Sequence, residues 1–516
     1  MMNWGLFTNN QSIKVRFFFS LLVNIIKIGL SFVAGIIIAR NLGPGGYGNY
    51  NFLLGSFISI ITLIDMGTSF AFYTFLSQRK QNSKFYLYYF VWLGMQFILI
   101  LVLIALIFPD IWRNKIWLGQ TKSLIIIAFS ASFIKNKIWQ TVTQAGESIR
   151  ATVIVQLHNI IYAGLYLCII FIMYYFDYLT IFNIFIVIIF TYLLFTFLLV
   201  GKLKHNLIVE GEEKITKIIN KFKTYCTPLI IYSIVSFAYS FADVWLLQKF
   251  GGAIQQGFYS IGLRFSSICL IVTSSIMKVF WKEIAEANEL RNKERVYYLY
   301  TKISRGLYFV AAVGACFLIP FSKEILILLL GPKYEAGWLC LAIMFIYPIH
   351  QSLGQINGTY FYATNQTKLL SKIGIILMIV SIPVTYFVLA SPSALIPGLG
   401  LASIGLALKI VILNMIGVNI FTYFICKSSK WKFNFLYQFT TIGLLLMASF
   451  TIKGFLSWSL NLINISLYPL VFIIICIPIY ILIIGVIIYF FPKIIGIEKE
   501  ELISFLYTFN RIFRKI

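Results

Sequence analysis

Acidic residues are scarce in this 516-residue chain: 17 Asp and Glu stand against 42 Lys and Arg, and charged residues make up only 11%. Soluble domains run nearer a quarter charged, so the composition excludes an ordinary water-soluble enzyme. Only three histidines occur, and the seven cysteines (168, 226, 269, 316, 340, 426 and 476) stand singly with no CxxC pair. That leaves no zinc-site spacing and no disulfide framework. No Walker motif is present, and Glu283, Glu286 and Glu289 lie among lysines in a stretch that reads as a solvated loop. No nucleophile, metal or cofactor constellation stands out, and none is expected. What the chain has is apolar sequence: 60% hydrophobic residues and a mean hydropathy of +0.89. These values describe a polytopic membrane protein.

A bilayer core of about 30 Å needs roughly 20 apolar residues in a helix. Fourteen such runs are predicted, near 16–38, 49–76, 85–108, 119–141, 153–174, 179–200, 227–249, 257–281, 306–330, 336–361, 371–391, 399–425, 434–455 and 466–491. The first is too long for a cleaved signal peptide and lacks a small-residue cleavage site. A transmembrane barrel would show alternating segments of about ten residues instead.

Basic residues set the orientation. With the N-terminus inside, about 31 Lys and Arg fall on the inner side, among them Lys80, Lys135, Lys137 and Arg150, and 8 on the outer. That bias predicts both termini in the cytoplasm. The positive charge then reflects topology and contact with anionic membrane lipid, and no nucleic-acid partner is expected. Within the polar stretch 202–223, Ile215, Ile218, Ile219 and Phe222 fall on one helical face, with Lys214, Lys217, Lys221 and Lys223 elsewhere. This pattern predicts an amphipathic helix on the inner membrane surface. A cytoplasmic amphipathic tail is predicted over 492–516.

The linker, 201–226, separates two six-helix lobes, 1–200 and 227–425, with two further helices at 434–491. A repeat supports the division. Arg40 to Tyr50 and Lys249 to Tyr259 both place a base at a helix end, then a glycine, then Gly-x-Tyr, roughly 208 residues apart. Both precede the second helix of a lobe, so the lobes are parallel repeats about an axis along the membrane normal. The glycine-rich turn reads as a tight hairpin.

Five ionisable residues fall inside spans: Lys27, Asp65, Asp243, Arg264 and Lys409. Each costs about 2.5–3.5 kcal/mol on insertion scales and should face the bundle interior. Lys27 and Asp65 each lie eleven residues from a helix end, about 16 Å deep at 1.5 Å per residue. Asp243 and Arg264 lie six and seven residues below the outer ends of their helices. Each lobe thus carries one acid and one base at matched depth, which reads either as two structural ion pairs or as a functional cavity. The functional reading makes Lys27, Arg264 and Lys409 bind an anionic substrate and Asp65 and Asp243 titrate with a coupling ion. His158 and His350 read as packing residues; Asn24, Gln96 and Gln355 are lesser polar candidates.

Ile36–Tyr50 (IIIARNLGPGGYGNY), with Ile64-Asp65-Met66-Gly67, resembles the opening of the Wzx-type polysaccharide flippases of the MOP exporter superfamily. Phe250–Tyr259, Leu330–Tyr334, Asn365–Lys368 and Ile396–Gly405 are similar to further turns of that family. The resemblance covers about residues 12–425. It implies a non-enzymatic flippase moving undecaprenyl-pyrophosphate-linked oligosaccharide, for O-antigen or capsule, across the bacterial plasma membrane. Other polysaccharide assembly proteins are the partners it implies. In the related lipid II flippases, cavity bases on helices 1 and 8 are implicated in holding pyrophosphate, and Lys27 and Arg264 occupy similar places. A base on helix 2 of those relatives is absent here, where Asp65 is an acid. The alternatives are a cation-coupled multidrug exporter of the same superfamily and, in another class, a membrane glycan polymerase or ligase.

Overall fold

The computed structural model describes residues 13–207, 214–463, 467–497 and 500–501, and these are helical nearly throughout. In hydrocarbon every backbone N–H and C=O must be bonded within the protein, and a helix does so inside one segment. That requirement overrides the weak helix propensity of the many Ile and Phe residues. None of the seven cysteines is paired.

The chain forms two compact units, Met1–Gly257 with Leu389–Ala394, and Phe258–Val388 with Leu395–Ile516. The first contains α1 (Ile13–Asp65), α2 (Thr68–Gln78), α3 (Ser83–Val102), α4 (Asp110–Trp117), α5 (Lys122–Phe133), α6 (Gln140–Ser148), α7 (Thr152–Tyr175), α8 (Ile181–Leu207) and α9 (Ile215–Cys226). Helix α10 (Ile230–Ile268) begins there and continues into the second unit. The second unit holds α11 (Ile271–Glu289), α12 (Lys293–Leu318), α13 (Ser322–Leu330), α14 (Trp338–Met344) and α15 (Tyr347–Ala363). It also holds α16 (Thr367–Leu389), α17 (Ala402–Ser429), α18 (Leu436–Leu462) and α19 (Pro469–Phe490).

Among the described residues, eleven helical runs are long and apolar enough to cross a membrane, or twelve if α4 and Lys122–Ser148, bent by 58°, form one span. The expected fourteen part from the figure of twelve at two places. Leu22–Asp65 and Ile215–Ile268 are continuous runs that each take in two of the sequence-read spans. Both are broken at one residue, a glycine in the left-handed region: Gly43 at φ 65° and ψ 175°, Gly252 at φ 76° and ψ 178°. A side chain there would clash with its own backbone, so glycine is the residue that makes the break. The two breaks lie 209 positions apart and share one conformation.

The glycines that follow are also 209 apart, and they touch reciprocally. A Cβ on Gly48 would sit 1.7 Å from the Ala253 carbonyl oxygen, and one on Gly257 would sit 2.1 Å from the Pro44 carbonyl oxygen. Pro44 and Ala253 are themselves equivalent under the same offset, so the contact is two-fold in character. It is a backbone-to-backbone approach that no residue with a side chain allows. Around it Asn49 Oδ1 accepts from Gln120 Nε2 at 3.1 Å and Gln248 Nε2 at 2.9 Å, joining α1, α10 and the turn before α5.

The linker helix forms as α9 from the anticipated face; linker residues 208–213 lie outside the described residues. Phe222 turns inward, with its ring 5.3 Å from Phe75 and 5.7 Å from Phe85, while Ile215 and Ile219 stay exposed. Of the expected tail, Glu501 accepts from Tyr298 at 3.2 Å and Lys302 at 3.4 Å, and residues 502–516 lie outside the described residues.

Overpacking of a close contact costs about 1–3 kcal/mol or more when backbone must move. Gly48→Ala and Gly257→Ala should therefore each lower the melting temperature of the detergent-solubilised protein. Gly29→Ala and Gly94→Ala, where an added Cβ meets nothing within 4 Å, should leave it unchanged or raised. Equal melting temperatures for all four would show that the turn contact carries no stability.

Candidate functional site

The acid expected in the middle of a continuous second span is placed at a break. After Asp65 the backbone turns left-handed at Met66 (φ 46°) and Gly67 (φ 85°), and α2 restarts at Thr68. Gly67 is required twice over, because a Cβ there would also lie 2.5 Å from Leu229 Cδ1. The break leaves the Ile64 carbonyl without its helical donor, and Gln96 Nε2 supplies one at 2.8 Å. Asp65 is drawn to the new helix start: its Oδ1 accepts from the Ser69 backbone N–H at 3.1 Å, Ser69 Oγ at 2.9 Å and Thr68 Oγ1 at 2.8 Å. Backbone N–H groups at a helix N-terminus favour a carboxylate.

The partner of Asp65 is Lys137. The two form a buried ion pair, and Lys137 Nζ also donates to Ser69 Oγ at 3.0 Å. Lys137 is 4% exposed and lies in a π-helical segment, Ile134–Trp139. Tyr89 closes the group, donating to Ser69 Oγ at 3.3 Å. Two expectations are corrected here. Lys137 is an interior residue, not one of the inner-loop bases, because Asp65 compensates its charge inside the bundle. And Asp65 does not pair with Lys27, because the break turns the carboxylate onto α2 and Lys137.

Lys27 takes another partner. Its Nζ donates to Asn159 Oδ1 at 3.4 Å, across the packed pair α1 and α7, and Glu147 on α6 is near enough to act on it electrostatically. Lys27 is half-buried, and its hydrogen-bond partner is a neutral amide. Asp243 is buried within α10. In the second unit, Lys409 is 3% exposed within α17, and Arg264 is half-buried near the end of α10. Polar side chains tie that unit together: Asn357 donates to the Val418 carbonyl and Thr422 Oγ1, both at 3.0 Å, and accepts from Tyr300 at 2.7 Å. Gln355 Oε1 accepts from Thr273 at 3.1 Å. His158 back-bonds to the Ile154 carbonyl at 2.7 Å, and His350 is buried against the ring of Tyr308. Both are packing histidines. Glu283 pairs with Arg295 at 2.8 Å in the open.

The missed residues are Lys137, Ser69, Tyr89 and Asn159. A signal for Lys137 was present, since it lies inside the apolar run 119–141. Chemically, Asp65 and Lys137 form a neutral unit, whereas Lys27 hydrogen-bonds to a neutral amide, with Glu147 near enough to act on it electrostatically.

Removing one partner of a buried pair costs about 3–5 kcal/mol, far more than removing both. Asp65→Asn and Lys137→Met should each destabilise the protein strongly in thermal unfolding, and the double variant should recover much of the loss. Additive losses would show that the two residues do not act as a pair.

No protein-family model matches this chain, and no curated protein sequence matches it. Solved structures do. The lipid II flippase MurJ in an inward closed conformation superposes with a TM-score of 0.66 at 16% identity, over 93% of this chain and 99% of that one. A MOP superfamily transporter from Pyrococcus furiosus, described by a binding pocket of reverse polarity, gives 0.54 at 13% over 81% and 95%. A multidrug resistance MATE family transporter in an outward-facing conformation gives 0.54 at 13% over 83% and 98%. The chain has the all-helical polytopic membrane fold that the lipid II flippase MurJ shares with MATE transporters of the MOP superfamily.

Proposed function

We propose that this protein is a flippase that moves undecaprenyl-pyrophosphate-linked oligosaccharide repeat units across the bacterial plasma membrane. The observation that carries the reading is the set of bases embedded in apolar helices: Lys27 on a neutral amide, Arg264 half-buried and Lys409 buried. A charge held at membrane depth is costly, faces the bundle interior or a water-filled cavity, and marks a substrate or ion pathway. The fold likeness to a lipid II flippase supports the substrate class, a lipid-linked glycan bearing phosphate. In this reading Lys27, Arg264 and Lys409 hold the pyrophosphate, and the lobes 1–200 and 227–425 rock about it with both termini in the cytoplasm. The repeat units belong to O-antigen or capsule, and other polysaccharide assembly proteins receive them. Nothing in the reading calls for catalysis.

Asp65 and Asp243 are proposed to couple transport to a cation gradient. A coupling ion must favour one arrangement of the lobes over the other, since a ligand with equal affinity for both shifts nothing. Disturbing the Asp65–Lys137 pair would free a carboxylate to take up a proton, and restoring it would expel that proton. A cation-coupled drug exporter is the second reading, because MATE transporters share the fold. The excess of embedded bases over acids, three to two before Lys137 is added, favours an anionic cargo.

Two measurements on the reconstituted protein test this. Lys27→Ala and Arg264→Ala should slow flipping of a labelled lipid-linked oligosaccharide by at least about tenfold, the worth of one charge-assisted hydrogen bond. Lys27→Arg and Arg264→Lys should keep part of the rate, charge mattering more than fork geometry. Normal flipping by both alanine variants would defeat the substrate assignment. With an imposed proton gradient, the unmodified protein should accelerate while Asp65→Asn and Asp243→Asn should not. Flipping by the unmodified protein that ignores the gradient would end the coupled mechanism.

A further inference from the structure

Beside the helix break lies a groove that none of the transport residues uses. It encloses about 470 Å³ between α3, α9 and the Met66–Thr68 turn, within the range of small-molecule sites. Its walls are apolar and aromatic, chiefly Trp92, Met95, Ile218 and Phe222, and its polar points are Thr68, Tyr89, Thr227 and Lys223. On one side it is open, where Val91, Trp92 and Met95 are exposed on a helix apolar enough to lie in lipid. A methylene displaces roughly as much volume as a water molecule, about 30 Å³, so the groove holds on the order of 16 carbons. That matches one acyl chain.

The charges that line the groove and a second open depression on α9 are basic. Lys223 lines the groove, and Lys214 at the N-cap of α9, with Lys217 and Lys221 of that helix, lines the depression with Tyr225. Among the described residues no Asp or Glu lines either. A lysine stem packs on apolar surface while its ammonium reaches for a lipid phosphate. Basic residues beside a membrane surface attract anionic lipid at about 1 kcal/mol each.

We propose that this groove is a binding site for an anionic phospholipid, with one acyl chain between α3 and α9 and its phosphate on Lys223. The occupant would bear directly on the ion pair, because Thr68 and Tyr89 both line the groove and belong to the hydrogen-bonded group around Asp65. The site depends on the chain crossing a membrane and not on what it transports.

Native mass spectrometry of the full chain, released from detergent after incubation with phosphatidylglycerol or phosphatidylcholine of matched chains, tests it. Phosphatidylglycerol should be retained severalfold more. Lys223→Ala should abolish that preference, and Met95→Trp, which fills the groove, should lower retention of both lipids. Lys115→Ala, away from the groove, should change neither. Equal retention of the two lipids by the unmodified protein overturns the proposal. So does a loss with Met95→Trp alone, which would mark a neutral hydrocarbon pocket, or with Lys223→Ala alone, which would mark surface adsorption. Stronger retention of undecaprenyl phosphate than of phosphatidylglycerol would likewise overturn it, since the occupant would then be the carrier lipid. Thermal unfolding of both variants separates these results from loss of fold.

Discussion

The backbone approach of Gly48 to Ala253 and of Gly257 to Pro44 is the constraint on which the helical packing of the first unit turns. Within lipid there is no hydrophobic drive to bring helices together, so close van der Waals contact must do it. Small residues permit that contact, and here the distances leave no room for a methyl group. Because the contact is reciprocal, each turn limits the other. The left-handed breaks at Gly43 and Gly252, one residue before Pro44 and Ala253, deliver the two helix starts to the place where they meet. Three positions, Gly43, Pro44 and Gly48, thus act as one device with their counterparts Gly252, Ala253 and Gly257, 209 residues later.

Electrostatics shapes the interior on a second principle. An isolated charge in hydrocarbon is too costly to persist, and a pair survives where geometry and further hydrogen bonds offset desolvation. Asp65 meets those terms with Lys137, Ser69, Thr68 and the start of α2. The helix break and the ion pair depend on each other: the break exposes the Ser69 backbone N–H, and the Asp65 carboxylate accepts from it. Lys27 meets fewer of those terms, with an amide as its hydrogen-bond partner. The groove between α3 and α9 shares Thr68 and Tyr89 with the ion-pair group.

Much of the fold was legible in the sequence because hydrocarbon solvent imposes a simple code. Runs of about 20 apolar residues, their basic flanks and a glycine-rich repeat are local properties, and each survives reading one residue at a time. Helix α9 was legible for the same reason, from Ile215, Ile218, Ile219 and Phe222 at helical spacing. The chain alone therefore determined a polytopic helical membrane protein and the recurrence of the glycine-rich turns before Tyr50 and Tyr259, and it pointed to five charges within spans while leaving Lys137 among the loop bases. Who pairs with whom was decided by tertiary structure. Depth along a helix placed Lys27 beside Asp65, but azimuth and backbone breaks are not functions of depth. The left-handed turn at Met66 and Gly67 swings the carboxylate away, and the π-helical turn around Lys137 places the partner from a run otherwise read as the end of a span.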